Sequence, residues 1–161
     1  MSAQPPALDG VAAVRAFVEG LGGVLTLAPG PGDGTPELAW GDLFFYVAPD
    51  GVLPPGQPFA TVVTKDYPGE PASGLDGEGA FRVNVGASAD EFARWSAAAG
   101  EVPPTTRDVV MPHPTYAAQH WLCVVEPGAA SAETLRVLLV SAHSRARARW
   151  ERRERAGPPT G

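Results

Sequence analysis

The chain has 161 residues, enough for one domain with a real core and no need of metal or disulfide staples. Its 44% hydrophobic and 19% charged content excludes a disordered protein, while 19 Gly and 18 Pro, gathered between the apolar runs, imply long and stiff loops. A net charge of −6 argues against bulk attraction to nucleic acid.

Along the chain, Asp9 is placed to cap a helix in which Val11, Val14, Phe17, Val18 and Leu21 recur at helical spacing until Gly22-Gly23 ends it. Val24 to Ala28 reads as a short strand. The following loop, Pro29 to Pro36, is too rich in proline to cradle a phosphate, which needs free backbone N–H groups and a helix behind them. Residues 42 to 48 and 58 to 65 are β-branched or aromatic runs joined by an extended hairpin connection. After the acidic, Gly-rich loop Asp66 to Gly79, Phe81, Val83 and Val85 alternate with Arg82 and Asn84, predicting a strand over 80 to 86 with one core face and one polar face.

Ser88 and Glu91 have capping-box spacing and open a second helix that runs to about Ala99. Gly100 to Ala118 holds prolines and no convincing period, so it reads as a long connection of the functional or mobile kind. Residues 120 to 126 form the last strand, Pro127-Gly128 turns the chain, and Ala132 to about Arg155 is the terminal helix, with Leu135, Leu138, Leu139, Ala142 and Ala146 on one stripe. The order αββββαβα predicts a single α+β domain over residues 8 to 156: a predominantly antiparallel sheet of about five strands with three helices. Residues 1 to 7 and 157 to 161 are expected to be flexible tails.

Cys123, the single cysteine, sits in an apolar run, is expected to be a buried core group, and gives no sign of an oxidising compartment. Met1-Ser-Ala-Gln-Pro-Pro6 lacks the marks of a signal peptide, and no window approaches the roughly 18 apolar residues of a membrane span. The expectation is a cytoplasmic protein without a membrane partner.

The chain carries one lysine, Lys65, against eleven arginines. Lys65 closes the run Phe59-Ala-Thr-Val-Val-Thr64 and is followed by Asp66. The expected reading is a surface ion pair with Asp66, the alternatives being a buried ammonium that holds an anionic ligand or serves as a base. His113, His120 and His143 form no HxxxH pair or Cys/His cluster, so no metal and no cofactor is expected. His113 reads as a loop histidine flanked by Pro112 and Pro114, and His143 as a satisfied interfacial histidine beside the Leu139/Ala142 stripe. No GxSxG elbow is present.

Several runs resemble a known family: Pro29-Gly-Pro-Gly-Asp-Gly34, Glu37-Leu-Ala-Trp-Gly-Asp42, Phe44-Phe-Tyr46, Pro58 to Pro68, Phe81-Arg-Val-Asn84, His113-Pro-Thr-Tyr116, Trp121 and Ala142-His143. Over residues 10 to 155 they look like the actinobacterial family catalogued as domain of unknown function 6194. The chain departs from the resemblance at His120, where similar proteins are expected to carry glycine. More distantly, the order of the later elements is similar to MmcQ/YjbR-like domains, which implies a compact α+β fold and, for that class, roles in DNA binding or drug resistance rather than catalysis.

If the sheet has a concave open face, Tyr46, Thr64, Lys65, Asn84, His113, Tyr116 and Trp121 are the candidates to converge on it and bind a small molecule or protein partner. That non-enzymatic binding role is the leading expectation. The alternatives are acid–base catalysis by His113 and Lys65, and DNA binding through the terminal helix by Arg145, Arg149, Arg152 and Arg153. Against the last, arginines at a helix C-terminus also complement its dipole on a solvated face.

Overall fold

The computed structural model describes residues 7–157, so the termini expected to be flexible fall almost wholly outside the described residues. Helix α1 spans Val11–Glu19 and buries Val14 and Val18. Its N-cap is Gly10 with no side-chain hydrogen bond, so Asp9 does not cap it. Six strands follow: β1 Val24–Leu27, β2 Leu43–Val47, β3 Ala60–Val63, β4 Arg82–Gly86, β5 Met111–Pro112 and β6 Trp121–Val125. Helix α2, Ala89–Ala99, lies between β4 and β5, and α3, Ala132–Ala156, follows β6.

The strands form one sheet in the order β1-β2-β3-β4-β6-β5, and every neighbouring pair is antiparallel. The α+β expectation therefore holds, with one strand more than the five expected. The addition is β5, a two-residue strand inside the connection read as irregular; it pairs Met111 with Cys123 and Pro112 with Leu122. Proline lacks the N–H a central strand must donate, so Pro112 is tolerated because β5 is the sheet edge.

Side chains alternate across the strands and build two unequal layers. Leu43, Phe45, Val47, Ala60, Val62, Val83, Val85, Leu122 and Val124 pack with α1 and with Leu135, Leu138, Leu139 and Ala142 of α3. Each of the Val, Leu and Phe side chains among them contributes about 1.5–3 kcal/mol on burial, so this layer dominates stability. The opposite face carries a smaller cluster of Val63, Leu75, Ala80, Met111, Cys123 and Val125.

The capping box of α2 forms as its spacing requires: Glu91 N–H donates to Ser88 Oγ at 3.1 Å, and Ser88 N–H to Glu91 Oε1 at 2.8 Å. The start of α3 is held from a distance instead. Asp108 accepts from the backbone N–H groups of Gly128, Ala130 and Ser131 at 2.7, 3.1 and 2.9 Å. Burial opposes ionisation of that carboxyl, but the bonds from Ser131, Gly128 and Ala130 outweigh it and hold the pKa below the usual range. Gly128 is needed there, because a Cβ would lie 2.9 Å from Asp108 Oδ2.

His143 fulfils its expected interfacial role, with Nε2 2.7 Å from the Gly22 carbonyl and its ring edge-on to Phe59. His120 adopts a left-handed conformation at φ 66, the backbone state glycine enters most easily, and its ring lies 5.4 Å from that of Phe92. That conformation gives a physical reason for glycine to be favoured at this position.

Cys123 is fully buried on β6, as expected. Burial pushes its thiol up to about 12, with the Arg82 charge opposing. In the native state Cys123 should react with a thiol reagent orders of magnitude more slowly than in denaturant, since the thiolate is the nucleophile. Native-state labelling as fast as in the unfolded chain would refute this placement.

Candidate functional site

The face of the sheet turned away from α1 and α3 presents Phe44 and Tyr46 from β2, Thr61 from β3, Arg82 and Asn84 from β4, and Trp121 from β6. Register explains the grouping, since Phe44 lies opposite Thr61, Thr61 opposite Asn84, and Asn84 opposite Cys123. Together with His113, Tyr116, Gln57, Gln119 and Glu70 these side chains enclose a cavity of about 480 Å³. That volume suits a small organic molecule.

Of the seven candidates named from sequence, Tyr46, Asn84, His113, Tyr116 and Trp121 line this cavity, and Thr64 and Lys65 do not. Those two belong to a separate knot at the end of β3, centred on the fully buried carboxylate of Asp42. Asp42 Oδ1 accepts from Thr64 N at 2.9 Å, Thr64 Oγ1 at 3.0 Å and Lys65 Nζ at 3.2 Å, and Oδ2 accepts a short bond from the Tyr67 hydroxyl. Lys65 Nζ also donates to the Trp40 carbonyl at 2.7 Å. Burial, with Asp42 alongside, pushes the Tyr67 phenol well above its ordinary value.

The expected Lys65–Asp66 pair is thus replaced by Lys65–Asp42. Asp66 turns the other way and ties down the loop that follows it, accepting from Ser73 N at 2.7 Å and Leu75 N at 3.0 Å. Arg107 clamps the same loop by donating to the Ser73 carbonyl at 3.1 Å and the Gly74 carbonyl at 2.7 Å. This loop covers part of the sheet face, so all of β4 but Gly86 is buried, and its polar side faces protein where solvent was expected.

Arg82, not foreseen as a site residue, is the centre of the cavity floor. It is only 4% exposed, and among the described residues the polar groups nearest its guanidinium, on Asn84, Ser73 and His113, are all uncharged. Nε donates to Asn84 Oδ1 at 2.8 Å, Nη1 donates to Ser73 Oγ at 2.7 Å, and Nη2 lies 3.4 Å from His113 Nε2. Asn84 is oriented in turn by donating to Thr61 Oγ1 at 2.9 Å. Glu70, the one carboxylate in the cavity lining, makes no ion pair with Arg82. A guanidinium has five N–H donors and two are spent on Asn84 and Ser73, so three remain for a further acceptor.

His113 is placed by the sheet edge: its backbone N–H donates to the Trp121 carbonyl at 2.9 Å, extending the β5–β6 ladder. Its Nδ1 accepts from the backbone N–H groups of Thr115 and Tyr116, both at 3.0 Å. Burial and then the Arg82 charge push its pKa down to about 3, so the ring is neutral at physiological pH. A neutral imidazole has one acceptor nitrogen, and Nδ1 is it; the hydrogen-bond network therefore assigns the proton to Nε2. Nε2–H then faces a guanidinium that can only donate. Two donors converge on one point of the cavity floor, under the aromatic walls of Tyr46, Tyr116 and Trp121.

The fold and cavity define a single-domain α+β protein with an open antiparallel sheet, one face of which is hollowed around a buried cation. The chain belongs to the family of unknown function DUF6194, whose model matches residues 9–155. No curated protein and no solved structure matches it. No helix among the described residues is long and apolar enough to cross a membrane.

Proposed function

We propose that this domain is a non-enzymatic, cytoplasmic binding module that takes a small organic anion, an aromatic or otherwise flat carboxylate, into the cavity over Arg82. The carrying observation is a buried guanidinium with no carboxylate partner beside a histidine donor. Burying a lone cation costs several kcal/mol in effective terms, a cost that an anionic ligand offsets. An oxygen about 2.9 Å from each nitrogen closes a triangle on the 3.4 Å separation of Nη2 and Nε2, accepting from both. Tyr46, Tyr116 and Trp121 supply faces for the ligand's planar body.

The acid–base alternative is less well supported, because Lys65 spends its ammonium on Trp40 and Asp42, outside the cavity that holds His113. A free, buried thiol supports a reducing compartment. We place the chain's origin in the actinobacteria on its arginine-rich composition, and its kinship with MmcQ/YjbR-like domains on element order.

Thermal shift with benzoate, indole-3-carboxylate and neutral benzamide tests the reading, since ligands that bind only the native state raise Tm. The carboxylates should stabilise the protein and benzamide should not. Glu70→Gln should strengthen the response several-fold by removing the one negative charge from the lining. Equal responses to benzoate and benzamide, or no response to either carboxylate, would sink the proposal.

A further inference from the structure

A second concavity of about 400 Å³ lies on the other side of Tyr46 and Trp121, between the strand ends and α3. Its lining includes the α3 arginines Arg145, Arg149 and Arg153 together with Trp121, Pro54 and Pro55. Arginines four residues apart on a helix step about 6 Å along one face.

The three are not equivalent. Arg145 is tied down by Glu91 Oε1 at 2.9 Å, Ser141 Oγ at 2.7 Å and the Gly86 carbonyl at 2.8 Å. Among the described residues Arg149 and Arg153 make no ion pair, and the nearby Glu151 is engaged by Arg147 at 3.0 Å and Arg155 at 4.0 Å. Burial, and then the charges of Arg145, Arg153 and Arg152, push the Arg149 guanidinium down. The helix dipole accounts for cations in the last turns of α3, but not for three of them lining one cleft that also holds an aromatic ring. In a chain of net charge −6, this is a local concentration of unpaired positive charge.

We infer that this cleft binds a nucleotide, its phosphates on the Arg149 and Arg153 guanidinium forks and its base against Trp121. Arginine forks match phosphate oxygens in pairs, and an aromatic face accepts any base by stacking. The nucleotide is either free or part of a single strand; the recognised chemistry is the same. This inference does not rest on the Arg82 cavity.

Titration of the full chain with thymidine triphosphate, thymidine, tripolyphosphate and a short oligothymidylate, followed by calorimetry, tests it. Thymidine triphosphate should bind at least tenfold more tightly than either thymidine or tripolyphosphate, and added salt should weaken it. The double variant Arg149→Gln/Arg153→Gln should lose at least tenfold in affinity with Tm unchanged, while Arg82→Met should bind like the native chain. Oligothymidylate tighter than thymidine triphosphate identifies the source as a nucleic-acid strand, and the reverse identifies a free nucleotide. Tripolyphosphate binding as tightly as the nucleotide, undiminished affinity in the double variant, or no binding of either thymidylate ligand would overturn the inference.

Discussion

Asp42→Ala should be among the most damaging single substitutions in the protein, lowering stability by about 3–5 kcal/mol and Tm by roughly 6–20 °C at this chain length. The carboxylate is fully buried and accepts four bonds, from Thr64 N–H, Thr64 Oγ1, Lys65 Nζ and the Tyr67 hydroxyl. Removing it leaves a half-buried phenol and a backbone N–H with unmet donors, while the Lys65 ammonium, 31% exposed, keeps the Trp40 carbonyl; the stranded donors, more than the lost attraction, set the size of the effect. The pair itself is worth much less. Asp42→Leu combined with Lys65→Met removes both charges together and should recover much of the loss, as apolar replacement of buried pairs does. Chemical denaturation of the two single variants and the double variant measures the coupling. An Asp42→Ala protein within about 1 kcal/mol of the native one would show that water reaches the knot and satisfies it, contrary to the burial seen here.

Why the sequence yields the fold more readily than the site is visible in these same residues. The β-branched and aromatic run of β2, the alternation in β4, the Ser88/Glu91 box and the α3 stripe are local signals, set within a few residues by composition, period and capping chemistry. The partner of Lys65 is not local. Asp42 is 23 residues away and reaches Lys65 only because the β2–β3 register sets Leu43 opposite Val62. The sequence neighbour Asp66 was therefore the natural but incorrect partner, its carboxylate being needed to hold the Ser73–Leu75 turn.

Arg82 escaped for a related reason. Alternation tells which side chains share a face, but not whether that face meets water. Here a loop tied by Asp66 and Arg107 covers it, and a residue whose pattern reads as solvated becomes the buried charge of the cavity. The one available sign was a long loop closing directly onto the strand that carries Arg82. Strand β5 was hidden by its brevity, since two residues beside proline carry no period. Even so, five of seven candidate residues meet in one cavity, because strand parity placed Tyr46, Asn84 and Trp121 on a common face and the sheet edge delivered His113 and Tyr116 to it.

Arg82→Met should leave the free protein nearly as stable as the native one and abolish its response to carboxylates. Two opposing terms nearly cancel in the absence of ligand. The substitution releases the desolvation cost of a buried cation, several kcal/mol, and forfeits two hydrogen bonds from a charged donor, to Asn84 and Ser73, each worth about 1.5–3 kcal/mol. Methionine fills most of the vacated volume, so little cavity penalty is added. With a bound carboxylate no such cancellation exists, since the same guanidinium now faces an anion and the loss of its charge-assisted bond should weaken binding by roughly 100-fold, about 2.7 kcal/mol. Arg82→Lys should recover only part of this, because a point charge cannot serve Asn84, Ser73 and the ligand at the angles a planar fork provides. Denaturation and carboxylate titration on the same samples separate the cases. A Met variant that loses several kcal/mol yet still binds benzoate with native affinity would make Arg82 a structural strut and move the ligand site elsewhere.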